Sequence, residues 1–138
     1  MPAGPGPEPV QVPPNCDLTL GVVCLDKSER ERTVWRMEAD ERFANPAGLV
    51  QGGFLAAFAD SAMGATCVRF ARGERVVAAN AELKVSLVRP VPAGSRLTCT
   101  ATVVSGGRRV VFLEAEIADE EGRLVAKASS TFLLTARE

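Results

Sequence analysis

Histidine is missing from all 138 residues, and no other feature of the chain excludes as much chemistry. Without an imidazole there is no Ser–His or Cys–His nucleophilic pair and no zinc–histidine site. The acid–base work that histidine does near neutral pH is excluded as well. Neither sign of charge is in excess: 16 Lys and Arg stand against 17 Asp and Glu, a net charge of −1. A nucleic-acid binder needs a basic footprint to neutralise phosphates, so no nucleic-acid partner is expected. The four cysteines, Cys16, Cys24, Cys67 and Cys99, include no Cys-x-x-Cys pair. A zinc site would need all four together, and no metal or cofactor is expected. Cys67 and Cys99 lie in strongly apolar patterns, which predict buried free thiols and a reducing, cytoplasmic setting. The start, Met-Pro-Ala-Gly-Pro-Gly-Pro-Glu-Pro, lacks the basic and apolar stretches of a signal peptide. The longest apolar run, Gly52 to Val68, falls short of the roughly 20 residues a bilayer requires and contains Asp60, so no membrane span is expected.

What is present describes one soluble globular domain, with 46% hydrophobic and 24% charged residues. Six of the nine prolines fall in residues 2–14, which predicts a disordered Pro-rich tail over 1–16 and a folded domain over 17–136. Leu18, Leu20, Val22 and Val23 fit either a short helix or a first strand. Thr33 to Met37 alternates as a strand. Asp40 to Gly48 reads as a loop, with a turn at Asn45-Pro46.

Gly52 to Arg72 is the one long helix. Phe54, Leu55, Phe58, Ala62, Met63, Thr66, Cys67 and Phe70 recur at spacings of three and four. The remaining circumference is mostly small, which predicts a helix buried nearly all round. Gly73 stops it, after Arg69 and Arg72 have placed positive charge at the C-terminal end of its dipole. Strands follow. Ala81, Leu83, Val85 and Leu87 alternate with polar residues until Arg89-Pro90, and Leu97 to Val104 and Val110 to Ala118 flank a Ser105-Gly106-Gly107-Arg108 hairpin. Glu120-Glu121-Gly122 then turns into Leu124 to Leu134. No repeat occurs. The expected class is α+β, with one helix packed on a curved sheet and the last four strands in an antiparallel meander.

Asp60 is the chemical anomaly, the one charge between Phe54 and Val68. A lone buried carboxylate costs several kcal/mol unless paired, hydrogen-bonded or protonated. It either carries function or caps or pairs with a distant group. Gly52-Gly53 opens the helix, where free N–H groups and the dipole favour a phosphate or a developing oxyanion, or simply forms a tight turn. No nucleotide-binding glycine spacing accompanies it. From Gly52 to Asp60 the helix advances roughly 12 Å at about 1.5 Å per residue, too far for both to act on one carbonyl. Two helices packed antiparallel across a two-fold axis would bring Gly52 of one copy to Asp60 of the other. The small face of Ala56, Ala57, Ser61 and Gly64 suits that contact.

The segments Asn45-Pro-Ala-Gly48-Leu-Val-Gln51-Gly-Gly-Phe-Leu-Ala-Ala-Phe-Ala-Asp60 and Asn80-Ala-Glu-Leu-Lys-Val-Ser-Leu-Val-Arg-Pro90-Val-Pro-Ala-Gly94 resemble PaaI-like acyl-CoA thioesterases of the hotdog superfamily. The likeness spans roughly residues 17–135. It implies a hotdog fold, a helix wrapped by a curved antiparallel sheet, and hydrolysis of an acyl-CoA thioester at a site shared between two protomers. It also implies a homodimer and favours a tetramer, a dimer of dimers. By this resemblance Asp60 activates water or attacks the thioester, Gly52 donates its N–H to the thioester oxygen, and Asn45 positions substrate and water. Gln51, Gly53, Asn80 and Ser61 are the implied substrate-binding residues.

Two positions depart from the pattern. Gln51 stands where the family usually has histidine, and Asn80 where it has a Ser or Thr. Gln can donate a hydrogen bond but cannot shuttle a proton, and Asn can still orient water. These departures bear on rate and substrate choice, and they leave room for a non-catalytic acyl-CoA-binding carrier or sensor on the same fold. A hotdog dehydratase would need a histidine. Arg72, Arg75, Arg89, Arg108 and Arg109 either meet coenzyme A phosphates or form ordinary solvated surface. Trp35 and Phe58 either line an acyl slot or pack the core.

Overall fold

Alternation and helical spacing translate into elements as follows in a computed structural model, which describes residues 15–71 and 76–136. Helix α1 is Cys16–Leu20, with the Asn15 side chain accepting from Leu18 N at 3.1 Å and Gly21 closing it in a left-handed conformation at φ 72°. Strand β1, Val23–Asp26, and strand β2, Arg32–Ala39, come next. The open choice over Leu18 to Val23 thus resolves as a helix and then a strand. After a 3₁₀ turn over Glu41–Phe43 comes the long helix α2, Gly52–Ala71. Strands β3 (Val76–Leu87), β4 (Ser95–Gly106), β5 (Val110–Ala118) and β6 (Leu124–Ala136) complete the chain. Of the tail expected over 1–16, residues 1–14 lie outside the described residues, as do the helix stop at Gly73, Arg72 and Arg75, whereas Asn15 caps α1 and Cys16 begins it.

The six strands form one antiparallel sheet in the order β1-β2-β4-β5-β6-β3. The expected four-strand meander is therefore corrected to three strands, β4-β5-β6. β3 crosses to the far side and pairs with β6, Leu87 opposite Ala126. The reason lies in the link after Leu87, which is too long for a tight hairpin. Instead it runs back over the front of α2, with Val88 N and Arg89 N donating to Val125 O, and Val50 N donating to Val91 O.

Period-two alternation turns one face of the sheet toward α2. On β5, Val111, Leu113, Ala115 and Ile117 are buried while Val110, Phe112, Glu114 and Glu116 face out. Leu97, Cys99 and Ala101 do the same on β4. Against them α2 packs Leu55, Phe58, Ala59, Ala62, Met63, Thr66 and Cys67. Each large side chain in this layer contributes about 1.5–3 kcal/mol by leaving water. Phe58 is fully buried, so it is a core residue and not a slot residue.

At 20 residues α2 is long and apolar enough to cross a membrane, longer than the apolar run suggested. Its packing beneath the sheet accounts for that composition. The helix is not buried all round, however. Asp60, Ser61, Gly64 and Ala65 are only half-buried and Val68 is half exposed, so within one chain the small face stays open. β3 is a sheet edge, and its apolar alternation is likewise uncovered, with Leu83 and Leu87 exposed.

Candidate active site

The open face of α2 forms the floor of a cavity of about 800 Å³. Asp60, Ser61, Gly64, Ala65, Val68 and Arg69 follow one another along this floor. Trp35 on β2, Ala78 and Asn80 on β3, and Phe132 on β6 form the walls. Cys16, Asp17 and Lys27 stand at its rim. Size and lining suit a small apolar group held beside a few polar atoms.

Asp60 is held by a partner from the sheet. Asn80 Nδ2 donates to Asp60 Oδ1 at 2.9 Å, and the same nitrogen donates to Ser130 Oγ at 2.8 Å. Ser130 Oγ in turn donates to the Glu82 carbonyl at 2.7 Å. The carboxylate thus meets a donor that is itself fixed by a second hydrogen bond. On the opposite wall, Trp35 Nε1 donates to Thr33 Oγ1 at 2.8 Å, so the indole presents one defined face to the cavity.

The remaining expected site residues gather elsewhere. Asn45 Oδ1 accepts from Ala47 N at 2.9 Å and Leu49 N at 3.2 Å, closing the turn before α2, with Gly48 at φ 81°. Its amide NH2 makes no hydrogen bond among the described residues. Gln51 N donates to Phe43 O, Phe54 N donates to Gln51 O, and the Phe43 and Phe54 rings stack at 4.5 Å. Gly52 and Gly53 begin the helix there, and neither lines the cavity.

One chain therefore unites Asp60, Ser61 and Asn80 but leaves Asn45, Gln51, Gly52 and Gly53 as a second cluster at the helix start. Of the arginines singled out for phosphates, Arg89, Arg108 and Arg109 do not line the cavity; Arg69 and Lys27 do. Sequence reasoning missed Ser130, Thr33 and Thr66. A hydroxyl in a strand or helix gives no signal of its own until its partner is known.

A family model described as the thioesterase superfamily matches residues 47–126. No curated protein matches the sequence. The fold is similar to that of the E. coli PaaI protein from the phenylacetic acid degradation operon, with a TM-score of 0.80 and 24% identity over 88% of this chain and 84% of that one. A variant of the phenylacetic acid degradation protein PaaI of Thermus thermophilus is similar at TM-score 0.75 and 29% identity, over 85% of this chain and 96% of that one. A hypothetical thioesterase protein of Streptococcus pneumoniae, solved with coenzyme A, is similar at TM-score 0.76 and 20% identity, over 85% and 88%. The match over residues 47–126 takes in Gly52, Asp60 and Asn80 and more than half of the sequence, and with the helix-in-sheet architecture it fixes the affiliation: the chain belongs to the thioesterase superfamily and has the hotdog fold of PaaI-like thioesterases.

Proposed function

We propose that the protein is an acyl-CoA thioesterase whose site is completed by a second copy of the chain. The observation that carries this reading is the split between the two clusters. Asp60 with its Asn80 donor faces an open cavity, while the helix N–H groups at Gly52 that could receive an oxyanion stand about two turns away at the start of the same helix. An antiparallel partner helix supplies the missing half to each. The uncovered edge of β3, with Leu83 and Leu87 exposed, supports pairing with an equivalent strand, since an unpaired edge recruits another. The family likeness favours a dimer of dimers. Four free thiols fit a cytoplasmic enzyme.

In this reading the thioester carbonyl is polarised by Gly52 N–H of one protomer. Asp60 of the other takes a proton from water as the water oxygen bonds to the carbonyl carbon. Collapse of the tetrahedral intermediate breaks the C–S bond and releases coenzyme A thiolate. Direct attack by Asp60, through an anhydride that water then opens, uses the same groups. A thiolate leaves with little general-acid help, so the reaction does not need the missing histidine. A lost oxyanion donor costs about 10²–10³ in rate in other hydrolases, which is the scale expected for this site.

The test is release of free thiol from a panel of acyl-CoAs by wild type and Asp60→Asn, with the dimer followed by sedimentation. Turnover lost in a variant that remains dimeric supports the enzyme. Acyl-CoA binding without turnover by wild type points instead to a carrier.

A further inference from the structure

Ser130 is a buried hydroxyl that the reaction scheme leaves unused. It lies on β6, 1% exposed, opposite Leu83 of β3 and Leu113 of β5. Its Oγ is 2.7 Å from the Glu82 carbonyl oxygen and 2.8 Å from Asn80 Nδ2. A carbonyl can only accept, so the single Ser130 proton is committed to Glu82. Toward Asn80 the hydroxyl can therefore act only as an acceptor. Asn80 must turn its NH2 to Ser130, and the second proton of that nitrogen goes to Asp60 Oδ1. A β-bulge makes the arrangement possible: Asn80 pairs with Phe132 and Glu82 with Thr131, leaving Ala81 as the extra residue. Bulges commonly re-aim side chains beside a site in this way.

We propose that Ser130 is a positioning residue that locks the orientation of the Asn80 amide, keeping its NH2 on Asp60 and its Oδ1 free as the acceptor for water or substrate. This rests on the thioesterase reading above. An ionised Asp60 would select the same orientation unaided. Once Asp60 has taken a proton from water it can donate instead, and a free amide could then flip to present its oxygen. Ser130 prevents the flip, because its own proton is bound to a backbone carbonyl whatever the state of Asp60. The hydroxyl that the resemblance expects at position 80 thus stands one strand away and acts through Asn80.

Thiol release is measured for wild type, Ser130→Ala, Ser130→Thr, Asn80→Ala and the Ser130→Ala, Asn80→Ala double variant. Loss of one orienting hydrogen bond is expected to lower kcat about 10-fold in Ser130→Ala, with KM within about twofold. Ser130→Thr restores the rate. In the Asn80→Ala background Ser130→Ala changes nothing further; an equal loss in both backgrounds would show a merely structural effect and overturn the proposal.

A second readout needs no turnover. In ¹H–¹⁵N spectra the wild-type Asn80 side-chain amide gives two shifted, exchange-protected protons, and Ser130→Ala releases one of them. Ser130→Cys, which keeps the volume and weakens the acceptor, replaces it if Ser130→Ala does not fold. If wild type hydrolyses no acyl-CoA, the thioesterase reading fails, and the amide spectrum still decides whether Ser130 orients Asn80.

Discussion

Thr33 on β2 and Thr66 on α2 meet hydroxyl to hydroxyl at 2.7 Å, inside the core, and the direction of that bond is dictated from both ends. Thr66 Oγ1 donates to the Ala62 carbonyl at 2.8 Å, so it can only accept from Thr33. Thr33 in turn can only accept from the Trp35 indole. Helix and strand are thereby joined by a one-way chain that ends on a cavity wall. Thr66→Val keeps the shape but strands the Thr33 proton, at a cost of about 1–3 kcal/mol. Urea unfolding followed by Trp35 fluorescence should show a lower midpoint. An unchanged midpoint would mean that the pair contributes nothing net.

Gly52→Ala separates fold from function. An added Cβ would stand 2.5 Å from Leu87 Cδ1, the end of a flexible side chain that is 56% exposed within one chain. Stability should change by less than about 0.5 kcal/mol. If Gly52 N–H meets the thioester, the methyl crowds the reacting carbonyl, and a displacement of about 1 Å costs about 100-fold in rate. Full activity in the alanine variant would remove Gly52 from the site.

The thiols should sort by position. Burial pushes Cys67 up to about 11 and Cys99 up to about 12, so neither forms thiolate near neutral pH, whereas Cys16 is exposed. Alkylation of the native protein, mapped by mass spectrometry, should modify Cys16 first. Cys67 and Cys99 should react only after denaturation. Rapid labelling of Cys99 in the folded state would contradict the packing of β4 against α2.

Asp119 makes one turn pH-sensitive. Burial raises its carboxyl, but the backbone N–H of Arg123, the Arg123 guanidinium and the Glu121 N–H outweigh it, each bond at 2.9 Å, and hold it below the usual range. A depressed folded-state value stabilises the fold above the unfolded value, about 4, and the gain is lost as pH falls through the folded one. Asp119→Asn should therefore lower Tm at pH 7 and converge with wild type in acid. A constant difference across pH would rule out the charge as the source.

Much of this was legible beforehand because it is written in local periods. Three-and-four spacing marked α2, and Ser105-Gly106-Gly107 marked the β4–β5 hairpin. Asp60 stood out because a charge in an apolar helix demands a partner. Asn80 was implied by family likeness as a substrate-binding residue, its bond to Asp60 emerged only in the fold, and Ser130 behind it gave no sign, since Ser129-Ser130-Thr131 reads as any polar stretch of strand. The place of β3 was illegible for a different reason. Its alternation specifies a strand, while its neighbour is chosen by the route of the Val88–Gly94 link and by backbone bonds to Val125 that follow no period.

The sheet order also governs how the chain comes together in time. β4, β5 and β6 are joined by short turns, so their ladders close small loops and form at little entropic cost. β2 must wait for β4 across the whole of α2 and β3, Ala39 finding Ser95 and Arg32 finding Thr102. That long-range step, and not the helix, is what slows folding in a topology of this kind. Core truncations in β2 that weaken this pairing should therefore slow folding.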